Sequence, residues 1–308
     1  MKSSLLALLP LVATALGASR TSPPSGCLSV ANSGGQYTTI QAAVNALSTT
    51  STAAQCIFIG AGTYTEQVLV PARSAKLTIY GYTADTSSYA GNKAIITSSK
   101  SQANGLSNDE TATLRVKAAN FKLYNVNVNN GYGKGSQAVA LSAYADSGYY
   151  ACSFTGYQDT LLAQQGNQLY SKCLIQGATD FIFGQHAPAW FDKCDIRVLA
   201  SSVGYVTASG RPSSSDANYY VFNGCTIAAA SGNTVTKGAY YLGRPWAAYA
   251  RVVVQKTSMT SVINSAGWRI WNTGDERTSN VVFGDAVSIA TVLGSGYASA
   301  GWYDGAYM

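Results

Sequence analysis

Short segments of alternating apolar and polar residues recur along the second half of the chain, and cysteine marks the repeat. Cys152, Cys173 and Cys194 are separated by two equal intervals of 21 residues. The flanking residues repeat as well, with weaker echoes at Cys225 and upstream at Val126. A period in the low twenties is typical of a solenoid in which each turn packs its inner face against the next. The pattern therefore predicts an all-β fold, a parallel β-helix.

An antiparallel sandwich is the alternative fold. Such a sandwich gives turn signals about every 8 to 12 residues. It would not require two consecutive intervals of equal length, and for that reason we favour the β-helix.

A short amphipathic helix is predicted near the start of the chain. Ile40, Val44 and Leu47 lie at positions i, i+4 and i+7, and Thr38 and Thr39 supply an N-cap. A solenoid needs a cap, because its end otherwise exposes apolar surface and unpaired backbone groups. We expect the helix to cover that end. No linker-like stretch divides the rest, so residues 18–308 are predicted to form one domain.

The N-terminus is typical of a secretory signal peptide. Lys2 precedes an apolar run over residues 5–12, and small residues follow at Ala15, Gly17 and Ala18. We predict that residues 1–17 are the signal peptide and that the protein is secreted and extracellular. A membrane anchor is the alternative, but no later stretch is apolar for long enough to span a bilayer.

Composition narrows the choice of partner. Hydrophobic residues make up 47% of the 308 residues, enough for a core, whereas charged residues make up 11%, against roughly 25% in an average domain. The net charge is +6, and loss of Lys2 leaves 19 positive against 14 negative side chains, +5. A modest positive field suits a polyanionic carbohydrate. The absence of basic runs argues against nucleic acid as a partner.

All six cysteines lie in the exported part of the chain. An even number outside the cell favours disulfides over metal ligands. No C-x-x-C pair occurs and His186 is the single histidine, so no metal site is expected.

Stacking of adjacent turns suggests how the cysteines pair. Stacking brings Cys152 and Cys173 within the Cα separation that a disulfide tolerates, about 4.4 to 6.8 Å. The remaining cysteines are then paired in their order along the chain. The predicted pairs are Cys152–Cys173, Cys194–Cys225 and Cys27–Cys56. Six cysteines allow 15 connectivities, and a stacked ladder of free thiols is the alternative.

Two aspartates occupy the same phase of the repeat. Asp159 stands seven residues after Cys152, and Asp180 seven after Cys173. Neighbouring parallel strands are about 4.8 Å apart, so the carboxyl groups should stack. Two carboxyl groups at such a short distance do not both ionise easily, so the pKa of one of the aspartates should rise. The alternative is a pair of solvated, inert turn residues, but the Phe-Ile-Phe run after Asp180 is an unusual setting for a surface carboxylate.

Five segments of the chain resemble the signature motifs of the pectin methylesterases, in the order of that family and over about 185 residues. The segments are GTYTE at 62–66, QAVAL at 137–141, QDTL at 158–161, DFIFG at 180–184 and LGRPW at 242–246. The chain looks similar to the secreted fungal members of that family. The resemblance implies a right-handed parallel β-helix and hydrolysis of the C6 methyl ester of galacturonate units in pectin. It implies no metal or organic cofactor.

The resemblance also assigns catalytic roles. Asp180 matches the nucleophile of the family, and Asp159 matches the general acid that later acts as a base. Gln137 and Gln158 match the residues that hold the oxyanion, and Arg244 matches the arginine that orients the aspartate. Arg244 beside Asp180 would keep that carboxylate ionised and leave the shared proton on Asp159.

Aromatic faces are expected to bind the sugar rings. The family positions are matched by Phe183, Tyr241, Trp246 and Trp271, and proximity adds Tyr157 and Trp268. Arg211 is the last residue of a T-A-x-G-R pattern that the family often shows, so it is a candidate for lining the cleft. We prefer Arg244 as the arginine that orients the aspartate, because Trp246 follows Arg244. Leu162 replaces a tyrosine that plant members usually carry, so one stacking platform is expected to be missing.

Other functions remain as alternatives. A Ser-His-Asp hydrolase using His186 lacks a G-x-S-x-G segment. A pectate lyase or a polygalacturonase on the same fold would need an acidic cluster that is not evident among 14 acids. A non-catalytic wall-binding solenoid would not need the aspartate pair. We therefore expect an enzyme that acts on pectin as a monomer.

Overall fold

The computed structural model describes residues 18–282 and 284–308, so the predicted signal peptide at 1–17 lies outside the described residues. The strands, in chain order, are β1 Leu28–Val30, β2 Gln55–Ile59, β3 Gly62–Thr65, β4 Val68–Val70, β5 Leu77–Gly81, β6 Ala94–Ser98, β7 Leu114–Val116, β8 Phe121–Tyr124, β9 Val126–Asn130, β10 Leu141–Ala143, β11 Ser147–Tyr150, β12 Ser153–Thr155, β13 Leu161–Ala163, β14 Gln168–Ser171, β15 Leu174–Gly177, β16 Ile182–Gly184, β17 Pro188–Asp192, β18 Asp195–Val198, β19 Gly204–Ser209, β20 Tyr219–Asn223, β21 Thr226–Ala229, β22 Tyr240–Gly243, β23 Val252–Gln255 and β24 Ser258–Met259. The α-helices are α1 Ile40–Ala46, α2 Asn108–Thr111 and α3 Ile289–Leu293. Single turns of 3₁₀-helix lie at Tyr89–Gly91, Gln102–Asn104, Tyr297–Ser299 and Gly305–Tyr307.

The strands form three parallel sheets that run along the length of the molecule. The nine-stranded sheet has the order β1-β2-β5-β8-β11-β14-β17-β20-β23, the eight-stranded sheet β3-β6-β9-β12-β15-β18-β21-β24, and the seven-stranded sheet β4-β7-β10-β13-β16-β19-β22. Each turn of the chain thus adds one strand to each sheet. The parallel β-helix is confirmed, and the antiparallel sandwich is wrong.

One corner of the coil is made by residues in the left-handed backbone region. It joins each strand of the nine-stranded sheet to the next strand of the eight-stranded sheet. Its residues include Asn125, Ala151, Lys172, Lys193 and Gly224, with φ between 49° and 63°. Alanine and lysine seldom adopt this conformation by local preference. The stacking of turns imposes it, and the 21-residue repeat in the sequence follows this corner.

The core consists of rows of like residues, one from each turn. Tyr149, Tyr170, Phe191 and Phe222 are in register on neighbouring strands, and their rings stack at centroid distances of 4.8, 4.8 and 4.6 Å. Aromatic pairs in such geometry contribute about 0.5 to 1.5 kcal/mol beyond their buried area. Repetition of one residue type at one phase therefore stabilises the coil and fixes the register of its turns.

The cysteines also form a row with one residue from each turn, and two of the three predicted disulfides are wrong. Only Cys27 and Cys56 are bonded among the described residues, with a Cα separation of 4.6 Å. The pairs Cys152–Cys173 and Cys194–Cys225 do not exist, and all four of these thiols are free and buried. Each donates to a carbonyl oxygen of the preceding turn at 3.3 to 3.5 Å.

The reason lies in the direction of the Cα–Cβ bonds. Stacked strands are about 4.8 Å apart and their side chains run parallel, whereas a disulfide needs Cβ atoms about 3.8 Å apart. The strands that follow Cys152, Cys173 and Cys194 are paired on both sides, which opposes the shift that would bring two Cβ atoms closer. Cys27 precedes β1, an edge strand paired on one side only, so its side chain can turn toward Cys56. Burial raises the pKa of the Cys173 and Cys194 thiols well above the usual value, which keeps them protonated and unreactive.

The predicted N-terminal helix is confirmed as α1. Thr39 is its N-cap, and the Thr39 hydroxyl accepts from the Ala42 amide at 3.2 Å. Ile40 and Val44 are buried in the core, and the helix contacts β1, β2 and β4. Because β1 and β4 begin their sheets, α1 covers the N-terminal end of the coil.

Glu66, in the first of the five sequence segments, also holds this cap in place. Its two carboxylate oxygens accept from the backbone amides of Ile40 and Gln41 at 2.8 and 2.9 Å. We expect Glu66→Ala to lower the free energy of unfolding by about 2 kcal/mol, because two amides at a helix start lose a charged acceptor. Glu66→Gln keeps one oxygen and should lose less. Equal stability of Glu66→Ala and the parent in urea unfolding would contradict this expectation.

The C-terminal segment covers the outer face of the nine-stranded sheet, a feature that the sequence pattern does not predict. Val292, Leu293 and Trp302 pack against outward-facing residues of that sheet such as Tyr150 and Trp190. The Tyr150 hydroxyl donates to the backbone oxygen of Trp302 at 2.7 Å. Within residues 18–282 and 284–308, no helix is long and apolar enough to cross a membrane.

Candidate active site

A cleft of about 310 Å³ lies on the outer face of the seven-stranded sheet. Its floor includes Phe183 on β16 and Ala208 on β19, which are in register. Leu162 on β13 continues this apolar row beyond the lining of the cleft. The cleft is lined by Gln102, Asn108, Gln137, Gln158, Asp159, Asp180, Phe183, Ala208, Arg244, Trp246 and Trp271. Eight of these eleven were predicted from the sequence.

Asp159 and Asp180 are stacked in the cleft as the repeat predicts. Gln158 pairs with Thr179 and Leu161 with Ile182, so the two aspartates are opposite each other on adjacent turns. Both have a left-handed backbone, with φ of 62° and 49°. Both are nearly buried, with 7% and 6% exposure. Two strained acidic residues held side by side in a cleft are typical of a functional site.

Arg244 distinguishes between the two carboxyl groups. Its Nε donates to Oδ1 of Asp180 at 3.0 Å, and its second guanidinium nitrogen donates to Oδ2 at 2.6 Å. Asp159 makes no side-chain hydrogen bond with the described residues. A bidentate guanidinium pair strongly favours the ionised carboxylate. The geometry therefore places the negative charge on Asp180.

The position of Arg244 is set by close packing around it. The residue before it, Gly243, lies so close to β19 that an added Cβ would be 2.0 Å from Oγ1 of Thr207. The guanidinium itself lies between two rings, 4.3 Å from the centroid of Tyr205 and 4.2 Å from that of Trp271. The glycine before Arg244 is thus needed for a tight approach of two strands, and the rings keep the arginine directed at Asp180.

The pKa shifts of the two aspartates differ in size. Burial and the adjacent Asp180 charge raise the pKa of Asp159 well above the usual 3.8. Burial also raises the pKa of Asp180, but the hydrogen bonds and charge of Arg244 oppose this. As pH rises, Asp180 therefore ionises first. Over the range between the two pKa values, the cleft contains one anion and one neutral acid.

The two glutamines predicted from the sequence lie in the same cleft. Neither the Gln137 nor the Gln158 side chain makes a hydrogen bond within residues 18–282 and 284–308, and both are partly exposed. Their amides are free to donate to a ligand. Phe183 and Trp246 form a tilted pair at 6.1 Å and supply an apolar wall beside them.

Four predicted substrate-binding residues do not line this cleft. Arg211 is buried and donates to the backbone oxygens of Asp216 and Ser214, so it holds its own loop. Trp268 packs against the core beside β22. Tyr241 stacks on Tyr205 at 6.0 Å, beyond Arg244. Tyr157 is partly buried in the turn before Gln158.

His186 and Leu162 were also singled out in the sequence. His186 is 46% exposed and its Nδ1 lies 2.6 Å from Oδ2 of Asp216, in a depression separate from the cleft. That position gives no support to a serine hydrolase. Leu162 is buried and packs with Phe183 and Tyr144, so it extends the apolar floor.

Sequence reasoning missed Gln102, Asn108 and Tyr205. The Gln102 amide donates to Asn108 at 2.9 Å, and both belong to the connection between β6 and β7 that includes α2. That connection does not follow the repeat, so periodicity gave no signal for it. Tyr205 lies under Arg244, a contact between separate turns. Among the described residues, no group of three or more acidic, histidine or cysteine side chains could hold a metal ion.

Known proteins resemble this chain closely. The family model for pectinesterase matches residues 28–292. A pectinesterase from Aspergillus niger is 56% identical over 286 residues, which cover 92% of this chain and 86% of that protein. A pectinesterase from Aspergillus aculeatus is 50% identical over 100% of both chains.

Solved structures give the same result. The deglycosylated pectin methylesterase from Aspergillus niger has a TM-score of 0.86 and 41% identity, covering 94% of this chain and 100% of that chain. Pectin methylesterase from carrot has a TM-score of 0.78 and 29% identity, covering 92% and 98%. The resemblance found in the five segments is confirmed. The chain belongs to the pectinesterase family of carboxylic ester hydrolases.

Proposed function

We propose that this protein removes the C6 methyl esters of galacturonate units in pectin, with Asp180 as nucleophile and Asp159 as general acid and base. The observation that carries the proposal is the asymmetry of the stacked pair. Arg244 binds Asp180 on both oxygens, and Asp159 has no cationic partner in direct contact. Covalent ester cleavage by a carboxylate needs this division into one anion and one acid.

The first half of the reaction forms an acyl-enzyme. An oxygen of Asp180 attacks the ester carbonyl carbon, and the carbonyl oxygen becomes an oxyanion. The free amides of Gln137 and Gln158 line the cleft and donate to this oxyanion. The intermediate then collapses, the bond to the methoxy group breaks, and Asp159 gives its proton to the departing methoxy oxygen, which leaves as methanol. A mixed anhydride joins Asp180 to the C6 carbonyl.

The second half reverses these roles. Asp159 is now ionised and takes a proton from water, which attacks the anhydride carbonyl. The bond to Asp180 breaks, so the carboxylate of Asp180 is restored beside Arg244 and the C6 group leaves as a carboxylic acid, which then gives its proton to the solvent to become galacturonate. Asp159 ends protonated, as it began. No metal or organic cofactor takes part in either half.

The oxyanion contacts can be tested separately from the aspartates. We expect Gln137→Ala to lower kcat about 10²-fold to 10³-fold with little change in KM, because the donor acts mainly in the transition state. Gln137→Glu, which has a similar shape but adds a negative charge near the oxyanion, should lose more. Steady-state methanol release gives both constants. A variant that changed KM alone would show that Gln137 binds the substrate and does not hold the oxyanion.

We also propose that the protein acts outside the cell as a monomer on pectin. The N-terminal pattern at residues 1–17 and the Cys27–Cys56 disulfide both suit an oxidising, exported setting. The positive net charge suits a polyanionic polymer.

One assay separates this function from the others. Highly methylated pectin is incubated with the protein, and three products are followed: methanol, unsaturated ends that absorb in the ultraviolet, and new reducing ends. Methanol alone supports the proposal. Unsaturated products would indicate a lyase, and new reducing ends would indicate a glycosidase. Binding to pectin without any product would indicate a non-catalytic wall protein.

A further inference from the structure

A second recess of about 170 Å³ lies next to the cleft. Arg244 and Trp271 line both spaces, so the two are adjacent. A polymer whose reacting ester lies at Asp180 extends to both sides of that group, and the recess offers space for a neighbouring sugar on the Arg244 side. The recess is lined further by Tyr205, Arg269, Ile270, Asn272 and Thr273.

Arg269 is the unusual residue of this recess. Its side chain is exposed and makes no hydrogen bond or ion pair with the part of the chain that the structure describes. Its backbone is fixed, because the Arg269 amide donates to the oxygen of Gly243 at 3.1 Å. Its guanidinium lies 5.6 Å from the ring centroid of Tyr241. The residue is thus held at the rim of the recess while its donors remain free.

A stack of aromatic rings connects this arginine to the reacting centre. Tyr241 stacks on Tyr205 at 6.0 Å, and Tyr205 lies 4.3 Å below the guanidinium of Arg244. The order is therefore Arg244, Tyr205, Tyr241, Arg269. Both guanidinium groups border the same recess, but Arg244 is occupied by Asp180.

Three other cations near the cleft are paired with acids. Arg115 and Lys117 are both paired with Asp109, at 2.6 and 2.8 Å. Arg277 is paired with Asp275 at 2.6 Å and also donates to the backbone oxygen of Trp246. Arg269 therefore offers the recess a positive charge that no acid of the described residues pairs with directly.

We propose that Arg269 is a specificity-determining residue that binds the free carboxylate of a galacturonate unit adjacent to the ester being cleaved. This inference rests on the proposed function. A methyl ester is neutral and offers only a weak acceptor, whereas a carboxylate accepts two parallel hydrogen bonds from a guanidinium. The recess thus favours substrate that has already lost an ester at that position, which is the product of the reaction itself.

The test compares two substrates on one set of variants. Methanol release is measured on a fully methyl-esterified hexagalacturonate and on hexagalacturonates in which free carboxylates alternate with esters. Arg269→Gln should lower the ratio of kcat/KM on the second substrate to that on the first by about tenfold, the effect of losing one charged hydrogen-bonded contact. Arg269→Lys should restore part of this ratio. The difference should shrink at high salt, because the recess is open to solvent.

Lys193→Gln is the matched control. It removes one exposed positive charge, which lies 3.9 Å from Asp192 at the corner between the nine- and eight-stranded sheets, away from the cleft. If Lys193→Gln lowered the ratio as much as Arg269→Gln does, the field of the whole protein would explain it and the proposal would be overturned. It would also be overturned if Arg269→Gln lowered both kcat/KM values equally. Failure of the parent enzyme to release methanol from either substrate would refute the proposed function instead.

Discussion

Replacement of Asp180 by asparagine is expected to abolish methanol release, with kcat reduced by about 10⁴-fold or more, as for removal of a covalent nucleophile in other hydrolases. Asparagine has nearly the same shape and keeps one oxygen that can accept from Arg244. The fold should therefore remain. Circular dichroism and a urea unfolding curve check that point beside the activity assay.

A second aspartate–arginine pair provides the control for Asp180. Asp195 on β18 is paired with Arg197, away from the cleft. Asp195→Asn should leave turnover within a small factor of the parent, although it also loses a charge next to an arginine. Residual activity of Asp180→Asn at a few per cent of the parent would mean that another group forms the covalent bond, or that none does.

The repeated turns could be predicted from the sequence because a solenoid places the same residue type at the same phase of each turn. The interval between Cys152 and Cys173 gives the length of one turn. Because Asp159 and Asp180 have the same spacing from these cysteines, the sequence also predicted that the two aspartates stack. The helix α1 was equally clear, since Thr39 and three apolar residues at helical spacing are local signals.

The remaining features depend on contacts that do not repeat from one turn of the coil to the next. The packing of Trp302 on Tyr150 joins residues 152 apart in the chain, and nothing near either residue indicates it. Tyr205 under Arg244 is a contact of the same kind. The prediction of the cysteine pairs was wrong for a different reason. The Cα spacing of stacked strands permits a disulfide, but the side chains on those strands run parallel and keep the sulfur atoms apart.

The protonated state of Asp159 also has a consequence for stability. Its pKa is higher in the folded protein than in an unfolded chain, so the folded state binds more protons between those two values. The free energy of unfolding then falls as pH rises from the unfolded pKa through the folded one. Asp159 thus lowers stability at neutral pH, and its retention at a buried position fits a catalytic requirement better than a structural one.

Replacement of Asp159 by asparagine should therefore have opposite effects on activity and on stability. We expect kcat to fall about 10²-fold to 10⁴-fold, because methanol loses its proton donor and water its base. The unfolding midpoint should rise relative to the parent, and more at neutral pH than at pH 4. Asp180→Asn offers the contrast, since it leaves the mostly buried Arg244 without its ion pair and should lower stability. A fall in stability of Asp159→Asn at neutral pH would contradict the raised pKa.

The pH dependence of the parent enzyme should reflect both aspartates. Activity requires Asp180 ionised and Asp159 protonated, so kcat/KM should rise as pH passes the lower pKa of the pair and fall as it passes the higher one. Arg244→Lys weakens the bidentate contact that opposes the rise in the Asp180 pKa, and the acidic limb should move to higher pH. In Asp159→Asn the alkaline limb should disappear from the residual activity. Its persistence at the same pH would assign that limb to another group, and the general acid would have to be sought elsewhere in the cleft.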